Sequence, residues 1–121
     1  MSKRILVVED QEDNRRILRD LLTSVGYEIV EAEDGESGIT AAEARRPDLI
    51  LMDIQMPIMD GYEATRRIKA NPELRAIPII VVTSYALSGD EDKARAAGCD
   101  DYIAKPYSPR QMLAKIKEHL R

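Results

Sequence analysis

The chain has no tryptophan and no phenylalanine, so its core must be aliphatic, with five tyrosines left for the margins. Its single cysteine, Cys99, excludes an internal disulfide and fits a reducing compartment. On its own it reads as a small buried apolar residue. No lysine–arginine block stands out and the net charge is only −4, so the electrostatic footprint of nucleic-acid binding is missing. No apolar segment is long enough to span a membrane. Met1-Ser2-Lys3-Arg4-Ile5 leads straight into a strand-like run broken by Glu9-Asp10, too short for a signal peptide. The expected location is therefore the cytoplasm, with no membrane partner. Neither a Gly-x-Gly-x-x-Gly fingerprint nor a P-loop follows that first run, which argues against a nucleotide-binding module. No linker, low-complexity stretch or internal sequence repeat divides the chain.

What remains is 121 residues with 44% apolar and 33% charged content, the size and balance of one domain spanning residues 1–121. Apolar runs alternate with helical patterns five times. Ile5-Leu6-Val7-Val8 is the first run. Ile17, Leu18, Leu21, Leu22 and Val25 then mark one helix face, and Gly26 stands where a left-handed cap is wanted. Tyr27 to Ala32, interrupted by Glu28 and Glu31, suits an edge strand. Asp34-Gly35 makes a turn, and an Ala-rich helix over 36 to 46 is stopped by Pro47. Leu49-Ile50-Leu51-Met52 reads as a strand buried on both faces. Asp60 with Glu63 forms a capping box for a third helix with Thr65 and Ile68 inward, closed by Asn71-Pro72. Ile77 to Val82 is the fourth strand. Ser88 with Glu91 caps a helix over roughly 89 to 97 that has few large apolar residues and should be weakly anchored. Asp101 to Ala104 is a short fifth strand. Ser108, Pro109 and Gln111 cap a last helix whose stripe is Met112, Leu113, Ile116 and Leu120. Alternation of this kind implies a parallel sheet with helices on both faces.

The tips of these strands carry the chemistry. Glu9 and Asp10 follow the first strand, Asp53 the third, Thr83 the fourth and Lys105 the fifth. A carboxylate at the tip of a buried parallel strand, such as Asp53, can be a metal ligand, a nucleophile or both, or can merely cap a loop. Placing the second strand outside the first makes the four functional tips adjacent, in the order 2-1-3-4-5, with a crevice where the winding reverses. Three carboxylates meeting there would repel, by roughly 4 kcal/mol per pair at about 4 Å and an effective dielectric near 20. A hard divalent cation removes that cost, and oxygen-only ligands select Mg²⁺ or Mn²⁺ over Zn²⁺. Lys105 adds a mobile positive charge and Thr83 a hydroxyl donor. The set suits phosphoryl transfer onto a carboxylate.

The sequence resembles the response-regulator receiver domains of two-component signalling along essentially its whole length. The motifs that carry the resemblance are Val7-Val8-Glu9-Asp10, Leu51-Met52-Asp53-Ile54-Gln55-Met56-Pro57 with Gly61, Val82-Thr83, and Ala97-Gly98-Cys99-Asp100-Asp101-Tyr102-Ile103-Ala104-Lys105-Pro106. The resemblance implies a flavodoxin-like (βα)5 fold. It implies that Asp53 is the phosphoacceptor, supplied by a histidine kinase or a histidine phosphotransfer protein. It also implies that Mg²⁺ is held by Asp10, Asp53 and the backbone carbonyl of Gln55, with Glu9 acting mostly through metal-bound water. Lys105 matches the phosphate-contacting lysine, and the Lys105-Pro106 bond is expected to be cis. Thr83 and Tyr102 match a coupled switch pair that repacks the face of the fourth helix, fifth strand and fifth helix toward a downstream protein target. Ser84 departs from the usual Ala or Gly. Gln55 and Tyr85 match positions that tune the lifetime of the phosphoryl group.

His119, the lone histidine, reads as a solvated residue favourable to a helix C-terminus. Asp100-Asp101 also read as solvated charge. Met56 and Met59, beside the Asp53 loop, read equally as partner-docking or as packing residues, as does Tyr107. The leading expectation is a phosphorylation-controlled switch, a phosphoprotein rather than an enzyme with a separate substrate. A Mg²⁺-dependent phosphatase working through an aspartyl phosphate would want a carboxylate at position 55, where this chain has Gln55. A stand-alone receiver is expected over a segment excised from a longer regulator or hybrid kinase.

Overall fold

The computed structural model describes residues 2–83 and 90–120. Five strands alternate with five helices: β1 (Arg4–Val8), α1 (Glu12–Ser24), β2 (Glu28–Ala32), α2 (Gly35–Arg45), β3 (Leu49–Asp53), α3 (Gly61–Ala70), β4 (Ile79–Thr83), α4 (Asp90–Ala97), β5 (Asp101–Ala104) and α5 (Pro109–His119). Every strand pairing is parallel, as the alternation implied, and the order is β2-β1-β3-β4-β5, the order expected from the strand tips and the flavodoxin-like fold that the resemblance implied. None of the described helices is long and apolar enough to cross a membrane.

The central strands are apolar at every position because both sheet faces are covered. Leu6, Val8, Ile50, Met52, Ile79 and Val81 pack with Ala42 of α2, Ala64 and Ile68 of α3, and Ala94 of α4. Their neighbours in the chain, Ile5, Val7, Leu49, Leu51, Ile80 and Val82, turn to the other face, against Leu18 and Leu22 of α1 and Met112 and Ile116 of α5. β2 lies at the edge and is half-buried, which is why it tolerates Glu28 and Glu31. Cys99 is buried, and burial pushes its thiol up, so it behaves as the small apolar residue expected. Met56 is buried in the core as well, so of its two readings packing holds.

Several local signals act as the sequence indicated. Gly26 sits at φ 96° just after α1, a conformation costly to any residue with a Cβ. Ser108 and Gln111 form a reciprocal capping box around Pro109. Others differ. α2 begins at Gly35, because Asp34 is itself a cap with Ser37 as its box partner. At α3 only half of the box forms: Asp60 accepts from the Glu63 amide, while the Glu63 carboxylate turns to Arg66 and Arg67. Ile17 and Val25, assigned to the core stripe of α1, are 60% and 50% exposed. Ile17 instead lines an apolar groove of about 360 Å³ between α1 and the start of α5, with Leu21, Tyr107 and Pro109. The Ser88–Glu91 box and the readings of Ser84 and Tyr85 lie outside the described residues.

His119 and Asp101 are not solvated. The Asp101 carboxylate, on β5, is only 14% exposed and meets two side chains of α5: Lys115 Nζ at 3.1 Å and His119 Nε2 at 2.9 Å. Asp100 stays exposed at the surface, as expected, yet accepts from the Ile79 amide and from Lys69 Nζ, both at 2.8 Å. Lys69 further donates to the carbonyls of Arg75 and Ile77, so one ammonium ties α3 to the entry of β4 and β5.

Burial opposes the charge of Asp101, but hydrogen bonds from His119, the Tyr102 amide and Lys115 outweigh it and hold the carboxyl below its usual range. A carboxyl lowered in the folded state adds stability above its unfolded pKa and loses it as pH falls through the folded one. The wild-type chain is therefore expected to lose stability steeply below about pH 4. Asp101→Asn should be less stable at pH 7 and show a shallower acid slope, read as the urea midpoint against pH.

Candidate functional site

β1, β3, β4 and β5 end side by side, and the register brings their next residues to one edge. Val8 pairs with Met52, Asp53 with Val82 and Thr83 with Ala104, so Glu9, Asp53, Thr83 and Lys105 stand along the carboxyl edge of the sheet. Glu9 is 3% exposed, Asp53 6% and Thr83 1%. Glu9, Asp10 and Asp53 each offer a carboxylate oxygen, and these oxygens all lie within 4.8 Å of one another. Lys105 Nζ stands 3.2 Å from Glu9 Oε1 and 3.9 Å from Asp53 Oδ1. Its backbone amide donates to the Thr83 carbonyl at 2.6 Å, and the Lys105-Pro106 bond is cis as expected. The Gln55 amide donates to Asp53 Oδ1 at 3.4 Å, which seats that peptide beside the acids. Tyr102 lies further back along β5, opposite Val81, half-buried against the core.

α3 starts directly beneath Asp53. The Gly61 amide donates to the Ile54 carbonyl at 3.0 Å. A Cβ at Gly61 would collide with the Asp53 carbonyl oxygen and lie 2.8 Å from Ile54 Cα. Only glycine lets the helix approach the strand tip this closely. On the other side of Asp53, the apolar groove of Ile17 and Tyr107 opens onto Lys105. Tyr107 is half-buried there, and burial, then the Glu9 charge, pushes its hydroxyl up.

The three acids share too little positive charge. Burial and the neighbouring Glu9 push Asp53 up to about 7. Burial and Glu9 likewise raise Asp10. Burial works against the charge of Glu9 too, yet the Gln11 amide, hydrogen bonds with Asp53 and Asp10, and the Lys105 ammonium hold it below its ordinary range. One lysine therefore fails to compensate three carboxylates. An oxygen-only donor set with excess negative charge fits a hard divalent cation.

The chain has clear relatives. The family model for the response regulator receiver domain matches residues 5–117. The chain belongs to the response regulator receiver family. It is 44% identical over 120 residues to the polar-differentiation response regulator DivK of Brucella anthropi, covering 99% of this chain and 98% of that protein. Among solved structures, the receiver domain of the sensor histidine kinase PA1611 from Pseudomonas aeruginosa PAO1 is 38% identical, with a TM-score of 0.92 and coverage of 99% and 98%. That domain was crystallised with a magnesium ion coordinated in its active-site cleft. The chemotaxis protein CheY4 of Vibrio cholerae superposes with a TM-score of 0.93 at 26% identity, covering 99% of this receiver and all of that chain.

The structure thus gathers Glu9, Asp10, Asp53, Thr83 and Lys105 at one edge, as the strand-tip pattern required, with the Gln55 peptide, named only by the resemblance, beside Asp53. Sequence reasoning did not single out Arg15. Its Nη1 donates to the Glu9 carbonyl at 2.8 Å, and an arginine on the polar side of an amphipathic helix carries no signal of such a target.

Two outcomes are expected. Gly61→Ala must displace α3 or the Asp53 backbone, lowering stability by about 1–3 kcal/mol in urea unfolding. Asp53→Asn, in chelator and at neutral pH, relieves the crowding of like charge. It is expected to raise stability by about 1 kcal/mol, seen as a thermal midpoint a few degrees higher.

Proposed function

We propose that this receiver takes a phosphoryl group from a phosphohistidine onto Asp53 in a magnesium-dependent reaction and switches protein binding as a result. The observation that carries the reading is the meeting of Glu9, Asp10 and Asp53 within 4.8 Å, beside Lys105. Asp10, Asp53 and the Gln55 backbone carbonyl would hold Mg²⁺, with Glu9 contributing through water. When bound, the ion neutralises the acids and polarises phosphoryl oxygens. Magnesium is proposed rather than manganese because the Pseudomonas aeruginosa relative holds magnesium in its cleft.

An Asp53 carboxylate oxygen attacks phosphorus, the P–N bond to the donor imidazole breaks, and that nitrogen keeps the electron pair. Lys105 meets the negative charge on the transferred group. Hydrolysis later breaks the acyl–phosphate linkage, returning the Asp53 carboxylate and inorganic phosphate. No separate substrate is turned over, so the chain acts as a switch rather than an enzyme. Gln55 supports this, because it offers no carboxylate to act as acid and base two residues after Asp53.

Donors are a cytoplasmic histidine kinase or a histidine phosphotransfer protein. Thr83 turns toward the phosphoryl group, Tyr102 moves with it, and the α4–β5–α5 face changes its partner. The thin anchoring of α4, whose buried apolar residues are Ala94 and Ala97, supports motion there.

Incubation with acetyl phosphate and MgCl₂ should add one phosphoryl group, detected by intact-protein mass. The adduct should be lost in Asp53→Asn and in excess chelator. A stable adduct that persists in Asp53→Asn would refute the assignment.

A further inference from the structure

We propose that Arg15 is a positioning residue for the acid-bearing turn after β1, fixing where Asp10 stands without touching cation or phosphoryl group. The proposal rests on the reading of Glu9, Asp10 and Asp53 as a magnesium site.

The turn from Glu9 to Gln11 is pinned at each of its flanking peptides. The Glu9 amide donates to the Ala32 carbonyl of β2 at 3.0 Å, and the Gln11 amide donates to Glu9 Oε2 at 3.0 Å. Arg15 supplies the other two bonds. Its backbone amide donates to the Gln11 carbonyl at 3.0 Å, and its guanidinium Nη1 donates to the Glu9 carbonyl at 2.8 Å. The Glu9 carbonyl belongs to the peptide that joins Glu9 to Asp10. Holding that oxygen fixes the peptide plane and so the direction in which the Asp10 side chain leaves the backbone.

That restraint matters because the local forces oppose it. Asp10 is less buried than Glu9 and Asp53, and like charge from both favours its rotation out toward solvent. The guanidinium is itself held. Arg15 Nε lies 3.4 Å from Glu31 Oε1 on β2, while Arg19 Nη1 takes the other carboxylate oxygen of Glu31 at 2.7 Å. Arg15 is 14% exposed, so this is not a solvated surface pair of the kind that adds little. It is a bracket from the edge strand to the acid turn. Groups that orient metal ligands from behind typically change affinity by about 10–100-fold when removed.

The test uses the full chain and MgCl₂ alone, followed by ¹⁵N NMR titration, with urea midpoints as a folding control. Phosphorylation by acetyl phosphate is measured separately at low and saturating magnesium. Wild type should bind. Arg15→Ala should weaken magnesium binding about tenfold or more, while its phosphorylation rate at saturating magnesium returns close to wild type. Arg15→Lys, with one donor able to reach the Glu9 carbonyl, should recover part of the affinity. Glu31→Gln, which loosens the guanidinium without touching the turn, should weaken binding a few-fold; it carries the comparison if Arg15→Ala fails to fold. Equal magnesium affinity in wild type and in these variants overturns the proposal. So does a slowed reaction that saturating magnesium does not rescue. Absence of magnesium binding by wild type removes the reading of the acids themselves.

Discussion

Three carboxylates are held against their mutual repulsion at one edge of a sheet, and most of the remaining architecture makes that possible. Glu9 and Asp53 are almost wholly buried, where an unpaired charge is costly. The strands that deliver them are apolar on both faces, and the two cores beneath them supply the stability that the acids oppose. Lys105 is the one cation close to both Glu9 and Asp53 among the described residues, and its backbone bond to Thr83 ties it to the next strand tip. The outcome is a site with a deficit of positive charge, which a bound divalent cation would meet.

The strand order explains why the deficit sits where it does. β1 and β3 are neighbours, while β2 leaves on the far side of β1. Chain connections from these tips therefore diverge, and the crevice between them stays open. α3 closes one side so tightly that Gly61 has no room for a Cβ, whereas the α1–α5 side keeps an apolar groove. Access to Asp53 is thus asymmetric, with Ile17 and Tyr107 on the open side.

The fold was legible because its signals are local. β-branched runs, capping residues and proline stops each act within a few residues, and they set the alternation from which a doubly wound sheet follows. The acids and the lysine were legible because strand tips in such a sheet share an edge. What the sequence hid is pairing across distance. Asp101 and His119 are 18 residues apart, and nothing local says that an aspartate on β5 binds the end of α5. Ile17 satisfies helical periodicity as well as Leu18 does, yet it faces a groove whose other wall comes from residues 106 to 109. Glu63 has the right spacing for a capping box, but Arg66 and Arg67 compete for it with charge. Arg15 was invisible because its acceptor is a backbone carbonyl, which has no identity in sequence.

These pairings divide the molecule unevenly. On the β2–α1 side, Glu31, Arg15, Ala32 and Glu9 form a continuous bonded path that ends in the acid turn. On the β4–β5 side, α4 enters the core through alanines rather than large side chains. Lys69 and Asp100 secure the entry of β4 and the start of β5, and Lys115 and His119 hold β5 to α5, at the opposite end of the sheet from Asp53. The acid turn is thus tied to β2 by ion pairs and hydrogen bonds, whereas α4 is held by small side chains, the weaker kind of anchor. In the proposed switch, the direction of the response is then fixed by where the fold is anchored. A phosphoryl group on Asp53 would act on Thr83 and Tyr102 on the side of the sheet where α4 is thinly anchored.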